Sequence, residues 1–239
     1  MVRLAADGAD LVCLQELSVW ALTRLASWSD MTAAADVARR TPAFTVELGR
    51  VLETLRPDLF RSGVTGQANA ILVRAPLAVV EHRHVVLNPF DFRRREARRL
   101  GLPVAAQLHW AKERRVCQVL RVRRSDGTLV VANLHATGYR DRRLADAELM
   151  RAAVFVDGFA RPDEPVLLCG DFNVTVGASR TLAELMTTEW GFSGATPKGI
   201  DHILVRGLDA GPPQVWPEQR RRRGEMLLSD HAPVEVEVA

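Results

Sequence analysis

The stretch Leu167–Val174 reads LLCGDFNV: an apolar run, a glycine, then Asp171 and Asn173 with Phe172 between them. On an extended chain, residues i and i+2 project to the same side, so a carboxylate and a carboxamide are presented together at a strand's end. Both offer hard oxygen donors, a set that suits Mg2+ or Mn2+ rather than zinc. The amide is equally able to hold a phosphate or an attacking water by hydrogen bonding. A capped turn explains the same two residues, because Asp and Asn side chains bond nearby backbone.

Other strand-like runs begin or end on residues of the same kind. Glu16 closes LVCLQE and His135 closes VVANLH. Asp201 opens the run in GIDHILV, and Asp230 and His231 precede the last apolar run in LLSDHAPV. Separate turns account poorly for this recurrence. Gathered on one rim, the acids would repel one another unless a cation lay among them.

The elements that must position these residues are mostly strands. Strands are expected for DLVCLQ, NAILVR, LAVVEHRHVVL, RRVCQVLRVRR, TLVVANLHA, PVLLCGD, IDHILVR and APVEVEV. PVLLCGD is apolar on both faces, as in a fully buried strand. APVEVEV alternates, with Val234, Val236 and Val238 on one face. Ser125-Asp126-Gly127 between two apolar runs predicts a hairpin. Helical spacing runs from Leu17 to about Arg40 and through RDRRLADAELMRAAVFVDGFA. TLAELMTTEW reads as a short helix, and Thr-Pro opens another at TPAFTVELGRVLETLRP, which stops at Pro57. Two packed sheets flanked by helices, in one domain over 1–239, are the expected architecture.

In this order, the motifs LQE, NAILVR, NLH, GDFN, IDHI and SDHAPV resemble the endonuclease/exonuclease/phosphatase superfamily, from about Leu11 to Val238. GDFN with a C-terminal SDH is specific in combination, although each tetrapeptide alone is weak. The resemblance implies a four-layer α/β/β/α sandwich of two mainly antiparallel sheets, with a phosphate-ester-cleaving site at one end. It implies Mg2+ or Mn2+ as cofactor, with Glu16 as the main metal ligand and Asp230 as a further metal-site carboxylate. Asp171 and Asn173 match the pair that orients water and holds the phosphate. His231 matches the catalytic histidine, Asp201 the acid that holds it, and His135 a contact to the scissile phosphate. The general base stays open. Asn69 and Tyr139 are further candidates for the substrate side.

The superfamily normally begins with a strand carrying an asparagine before LQE. Here no Asn precedes Asn69. The chain therefore reads as N-terminally incomplete, through truncation or as a degenerate member that binds phosphorylated partners. Its substrate is expected to be a phosphodiester, with DNA or RNA favoured over inositol phosphates and phospholipid headgroups.

The remaining features set bounds. A chain of 239 residues, 47% hydrophobic and 26% charged, can bury a core without staples. The net charge of +3 permits a polyanionic partner without requiring one. RRREARR (93–99) and RRRR (220–223) read as solvated basic faces, or, for Arg220 and Arg221, as a lining of the route to the site. His82, His84 and His109 have no acid clustered with them in the sequence and are expected to be surface or satisfied histidines. Cys13, Cys117 and Cys169 sit in apolar runs without disulfide or zinc spacing, as in reduced thiols of a cytoplasmic protein. No membrane span and no protein partner are expected.

Overall fold

The computed structural model describes residues 1–39 and 67–239; the helix expected over TPAFTVELGRVLETLRP falls outside them. Its centre is a five-stranded sheet whose apolar runs are covered on both faces. The sheet comprises β4 (Ala78–Val86), β5 (Val116–Arg124), β6 (Gly127–His135), β7 (Val166–Asp171) and β8 (Asp201–Arg206), in that order. The hairpin at Ser125-Asp126 joins β5 to β6, with Arg124 opposite Gly127. β6 and β7 are parallel. A parallel pair needs a crossover, which α5 (Arg143–Phe159) supplies. Ala145, Leu149, Ala152, Ala153, Val156 and Phe159 form a buried stripe of α5 packed on Val130, Ala132, Leu134 and Leu168 of the sheet, while Leu144 packs against Phe92 and Trp110.

The second sheet holds β1 (Leu11–Leu17), β3 (Gln67–Val73) and β2 (Thr32–Arg39), in the order β1-β3-β2. Ile71 and Val73 face Leu120, Val122, Val131, Leu167 and Val205 across the interface between the sheets. The outer side of this sheet is covered by α1 (Val2–Ala6) and α2 (Leu25–Ser29), through Ala6, Val12, Leu25, Met31, Ala70 and Leu72. The far side of the large sheet carries α3 (Phe90–Arg99), α4 (Val104–Ala111), α5 and α6 (Arg180–Leu185). The result is the expected layering: helices, sheet, sheet, helices. No described helix is long and apolar enough to cross a membrane.

Three expectations change. MTAAADVARR is a strand, not a helix: β2 pairs with β3 from Thr32↔Val73 to Arg39↔Gln67. Alanine-rich helix propensity, a few tenths of a kcal/mol per residue, yields there to a full ladder on an apolar sheet. After the short hairpin of β10 (Arg222–Arg223) and β11 (Met226–Leu227), the final strand is shortened to β12 (Val234–Glu235), because among the described residues its only ladder partner is the two-residue β9 (Gln214–Val215); Val238 makes an isolated bridge to Ala210. The segment that forms α4 carried no element in the sequence reading. The resemblance puts a strand against the other edge of β1, and among the described residues that edge has no strand partner.

Three buried carboxamides cross between the sheets. Asn133 of β6 donates to Leu14 O (2.9 Å) and Ala70 O (3.0 Å) and accepts from Gln15 Nε2 (2.6 Å). Asn69 of β3 donates to Val116 O at 3.2 Å, and Gln118 of β5 to Ala34 O at 3.1 Å. Cys13, Cys117 and Cys169 are free thiols, and burial, with Asp36 nearby, holds Cys117 well above the usual thiol range.

Asn133→Leu keeps the volume and strands two backbone carbonyls and the Gln15 amide. It is expected to lower unfolding stability by about 2–4 kcal/mol in urea titrations, whereas an unpaired surface change stays within about 0.5 kcal/mol.

Candidate active site

Strand register does the first part of the assembly. His135 is paired with Asp171 across the parallel ladder, and Asp171 with Asp201 across the next. Three adjacent strands therefore end in a row of His, Asp and Asp. Gly170, at φ 137°, precedes the central acid; a Cβ there would lie 1.9 Å from Leu134 O, so only glycine allows this close approach of β7 to β6.

The chain turns immediately beyond Asp171. Asn173 has φ 53°, and its N–H donates to Asp171 Oδ1 at 2.9 Å. This is an Asx turn, so the capped-turn reading holds. It also serves the site: Phe172 is fully buried, while Asp171 and Asn173 line the same pocket. The Asn173 amide donates to Ala136 O (3.0 Å), and its Oδ1 lies against Gly138, where a Cβ would meet it at 2.9 Å. The shared direction of the two side chains comes from the turn rather than from extended i, i+2 geometry.

Glu16 arrives from the other sheet. The β1–β3 register shifts between Leu14 and Leu17, and Glu16 takes φ 54°. A bulge of this kind re-aims a side chain at a strand's end, and a left-handed glutamate is a costly conformation that functional sites retain. Glu16 Oε1 reaches 3.8 Å from His135 Nε2, and Asp171 Oδ2 lies 3.5 Å from the same nitrogen.

His231 completes the group from the loop before β12. Its Nδ1 sits 3.0 and 3.2 Å from the two oxygens of Asp201. Donor atoms of Asp171, Asp201 and His231 lie within 4.8 Å of one another, the only such His/Cys/Asp/Glu group among the described residues. Asp230 adjoins and acts on His231 through its charge.

Electrostatics separates these groups. The hydrogen bond and charge of Asp201 raise His231 to about 9, with burial opposing. Burial, then repulsion from Asp201, raises Asp171 to about 7, against the pull of His231 and the Asn173 N–H; Glu16 adds further repulsion. Burial, then Arg115 and His231, pushes His135 well below the usual histidine range, so it is neutral. An acid lifted this far by burial and by neighbouring acids fits a site for a divalent cation, whose charge would return it to the carboxylate form.

Several pocket residues had no sequence signal beyond their type. The cleft encloses about 340 Å3 and is walled by His109, Lys112, Glu113 and Arg115 from α4 and the turn into β5, with Thr137 and Gly138 after β6. Arg115 Nη1 lies 2.9 and 3.1 Å from the two ring nitrogens of His135, and Nη2 is 2.7 Å from Glu113. A nitrogen nearly equidistant from both ring nitrogens at that range cannot lie in the ring plane without overlapping the carbon between them. The guanidinium therefore rests on the imidazole's face. Fully buried Glu148 of α5 holds the loop behind the site, accepting from Thr137 N–H (2.6 Å), Thr137 Oγ1 (2.8 Å) and Trp110 Nε1 (2.6 Å). A larger recess of about 450 Å3 between α3 and α5 is lined by Phe92, Met150, Val154 and Phe155 and gathers no such polar set.

The other sequence candidates lie outside this cleft. Asn69 bridges the sheets. Tyr139 stacks under His109, with centroids 4.4 Å apart. Arg220 lies over Trp216 and pairs with Glu235. Arg221 donates from Nη1 to Ser229 O (2.6 Å), Asp230 O (3.2 Å) and His231 O (3.4 Å), and so grips the loop that carries His231. His109, expected to be a surface or satisfied histidine, lines the cleft, and His202, next to Asp201, is buried and bonded to Val174 O and Thr196 N–H.

Two sheets with acids, histidines and an amide at their strand ends define a class of sandwich hydrolases. The chain belongs to the Endonuclease/Exonuclease/phosphatase family, whose model matches residues 3–231. Members of this family hydrolyse phosphate esters. The chain shares its fold with the catalytic domain of human nocturnin with a bound sulfate anion: TM-score 0.66, 13% identity, over 98% of this chain and 83% of that one. A truncated TDP2 from Caenorhabditis elegans gives TM-score 0.60 and 15% identity over 99% and 89% of the two chains. A mannosyl-6-phosphatase from Bacteroides thetaiotaomicron gives 0.63 and 16% over 98% and 86%. No curated protein matches the chain in sequence.

In metal-free protein, His231 is expected to titrate near pH 9 by NMR and to fall toward its ordinary value in Asp201→Asn. Because the folded value is raised, the pair's stabilisation is complete below about pH 6.5 and lost as pH rises through 9. Asp201→Asn should flatten that part of the stability-versus-pH curve, and an unchanged slope would contradict the pairing.

Proposed function

We propose that the protein is a divalent-metal-dependent phosphoesterase that hydrolyses phosphodiester bonds of nucleic acid. The observation that carries this reading is the convergence of Asp171, Asp201 and His231 beside His135, from four separate segments of the chain. Glu16 and Asp230 would hold the cation together with Asp171. When bound, Mg2+ or Mn2+ supplies charge neutralisation at the phosphate oxygens.

The chain's own residues do the rest. His231, cationic through Asp201, faces the phosphate with positive charge as negative charge grows there. Asp171, in the carboxylate form that a nearby cation favours, accepts the proton of an attacking water, which the Asn173 amide orients. Neutral His135 donates its N–H to a phosphate oxygen, with Arg115 adding charge behind it. The two histidines thus divide the work, one charged and one neutral.

A cleft of about 340 Å3 is also the size of a small-molecule site, which favours a second reading: a phosphatase or phospholipase acting on small phosphate esters. A third reading, an impaired remnant that binds phosphorylated partners, rests on the edge of β1 that has no strand partner among the described residues.

Mg2+-dependent hydrolysis of bis-(p-nitrophenyl) phosphate, abolished by EDTA, is expected and would exclude the remnant. A panel of plasmid DNA, abasic DNA, RNA, inositol phosphates and sphingomyelin then separates the other two. Asp171→Asn and His231→Gln are each expected to lower kcat by ~10² or more. Full metal-dependent activity in either variant would overturn the assignment.

A further inference from the structure

A second group of metal-ligating side chains lies at the seam between the sheets, outside the cleft. His82 and His84 stand two apart on the edge strand β4, so both imidazoles project from one face. That face looks toward the three-stranded sheet, because their register partners in β5 are Leu120 and Gln118, and Leu120 lies in the core between the sheets. Asp36 of β2 comes across to meet them. Its Oδ2 is 2.6 Å from His82 Nε2, and its Oδ1 is 3.0 Å from His84 Nδ1. Nothing in the sequence links Asp36 to these histidines.

Gln118 provides an independent observation. It sits directly opposite His84, is fully buried, and donates its amide N–H to Ala34 O, two residues from Asp36. Its Oε1 is buried with no hydrogen-bond partner among the described residues. A buried carbonyl oxygen left unpaired is costly unless something else satisfies it. Two imidazoles, one carboxylate and one amide oxygen make a mixed N/O donor set that prefers a late first-row cation to Mg2+.

We propose that Asp36, His82 and His84, with Gln118 opposite His84 as a further oxygen donor, form a Zn2+-class binding site that ties β2 of one sheet to β4 of the other. In the present arrangement the imidazoles flank the carboxylate, and the three sets of donor atoms do not all fall within 4.8 Å of one another. Capture draws the two rings inward around the ion. The side chains of His82 and His84 are 32% and 47% exposed, which leaves them room to turn and gives the ion a way in. Bound there, the ion holds the sheets together in their folded arrangement and stabilises the protein by linkage.

The test uses the full chain without added histidines, in excess Mg2+ so that the catalytic cleft holds a hard cation. Co2+ titration is expected to give one equivalent with the visible absorption of a low-coordinate N/O site, and Zn2+ is expected to displace it and raise Tm. Both signals should persist in an Asp171→Asn/His231→Gln double variant. His84→Gln, a half-exposed change, should weaken binding at least ~10-fold and remove the Zn2+-dependent rise in Tm, as should Asp36→Asn. Hydrolytic activity in Mg2+ should be unchanged in His84→Gln. Equal Co2+ affinity in wild type and His84→Gln, or loss of the absorption in the Asp171→Asn/His231→Gln protein alone, would overturn the site.

Discussion

The Asn133 carboxamide spans the interface between the sheets, and the geometry of the cleft depends on it. It bonds Leu14, Gln15 and Ala70, so it fixes β1 and β3 against β6 at a point two residues before His135 and one or two before Glu16. Apolar packing between the sheets is non-directional and tolerates sliding. A buried amide does not, because a slip strands several polar groups away from water. Asn69 and Gln118 act in the same way further along. The glutamate of one sheet meets the histidine and aspartate of the other because these amides permit one alignment.

That alignment sets the electrostatics. Adjacent strand ends place Asp171 between His135 and Asp201, where burial and like charge lift its pKa, and the same Asp201 lifts His231. One acid thus raises a neighbouring acid and a neighbouring base together. The left-handed conformations of Glu16 and Asn173 are the local cost of bringing their side chains to the cleft, and Gly170 and Gly138 clear the space.

Arginine acts more often within the protein than on its surface charge alone would suggest. Arg121 ties Glu164 and the Phe159 carbonyl beneath the large sheet, and it also bonds Glu81. Arg115 backs His135, and Arg221 grips three carbonyls of the His231 loop. Arg221 comes from a run that reads in sequence as a basic face. Its Nη1 alone reaches all three carbonyls and orders a loop whose strand, β12, has only a two-residue ladder.

Local pattern was enough for the strands of the large sheet, the hairpin at Ser125-Asp126, the crossover helix, and the placing of Glu16, His135, Asp171, Asp201 and His231 at element ends. Period-2 and period-3.6 burial and turn chemistry are short-range properties, so one chain segment carries each of them. Pairing across distance was not legible. MTAAADVARR follows helix propensity in isolation and becomes a strand only against β3; Arg115 and Glu148 gain their roles from elements remote in sequence; Asp36 meets His82 and His84 only across the seam. The sequence by itself determined the family fold and which acids, histidines and amide stand at its strand ends. Only the tertiary structure decided which of them share a cleft and with what charge, because proximity and desolvation are properties of the packed sheets and not of any single segment.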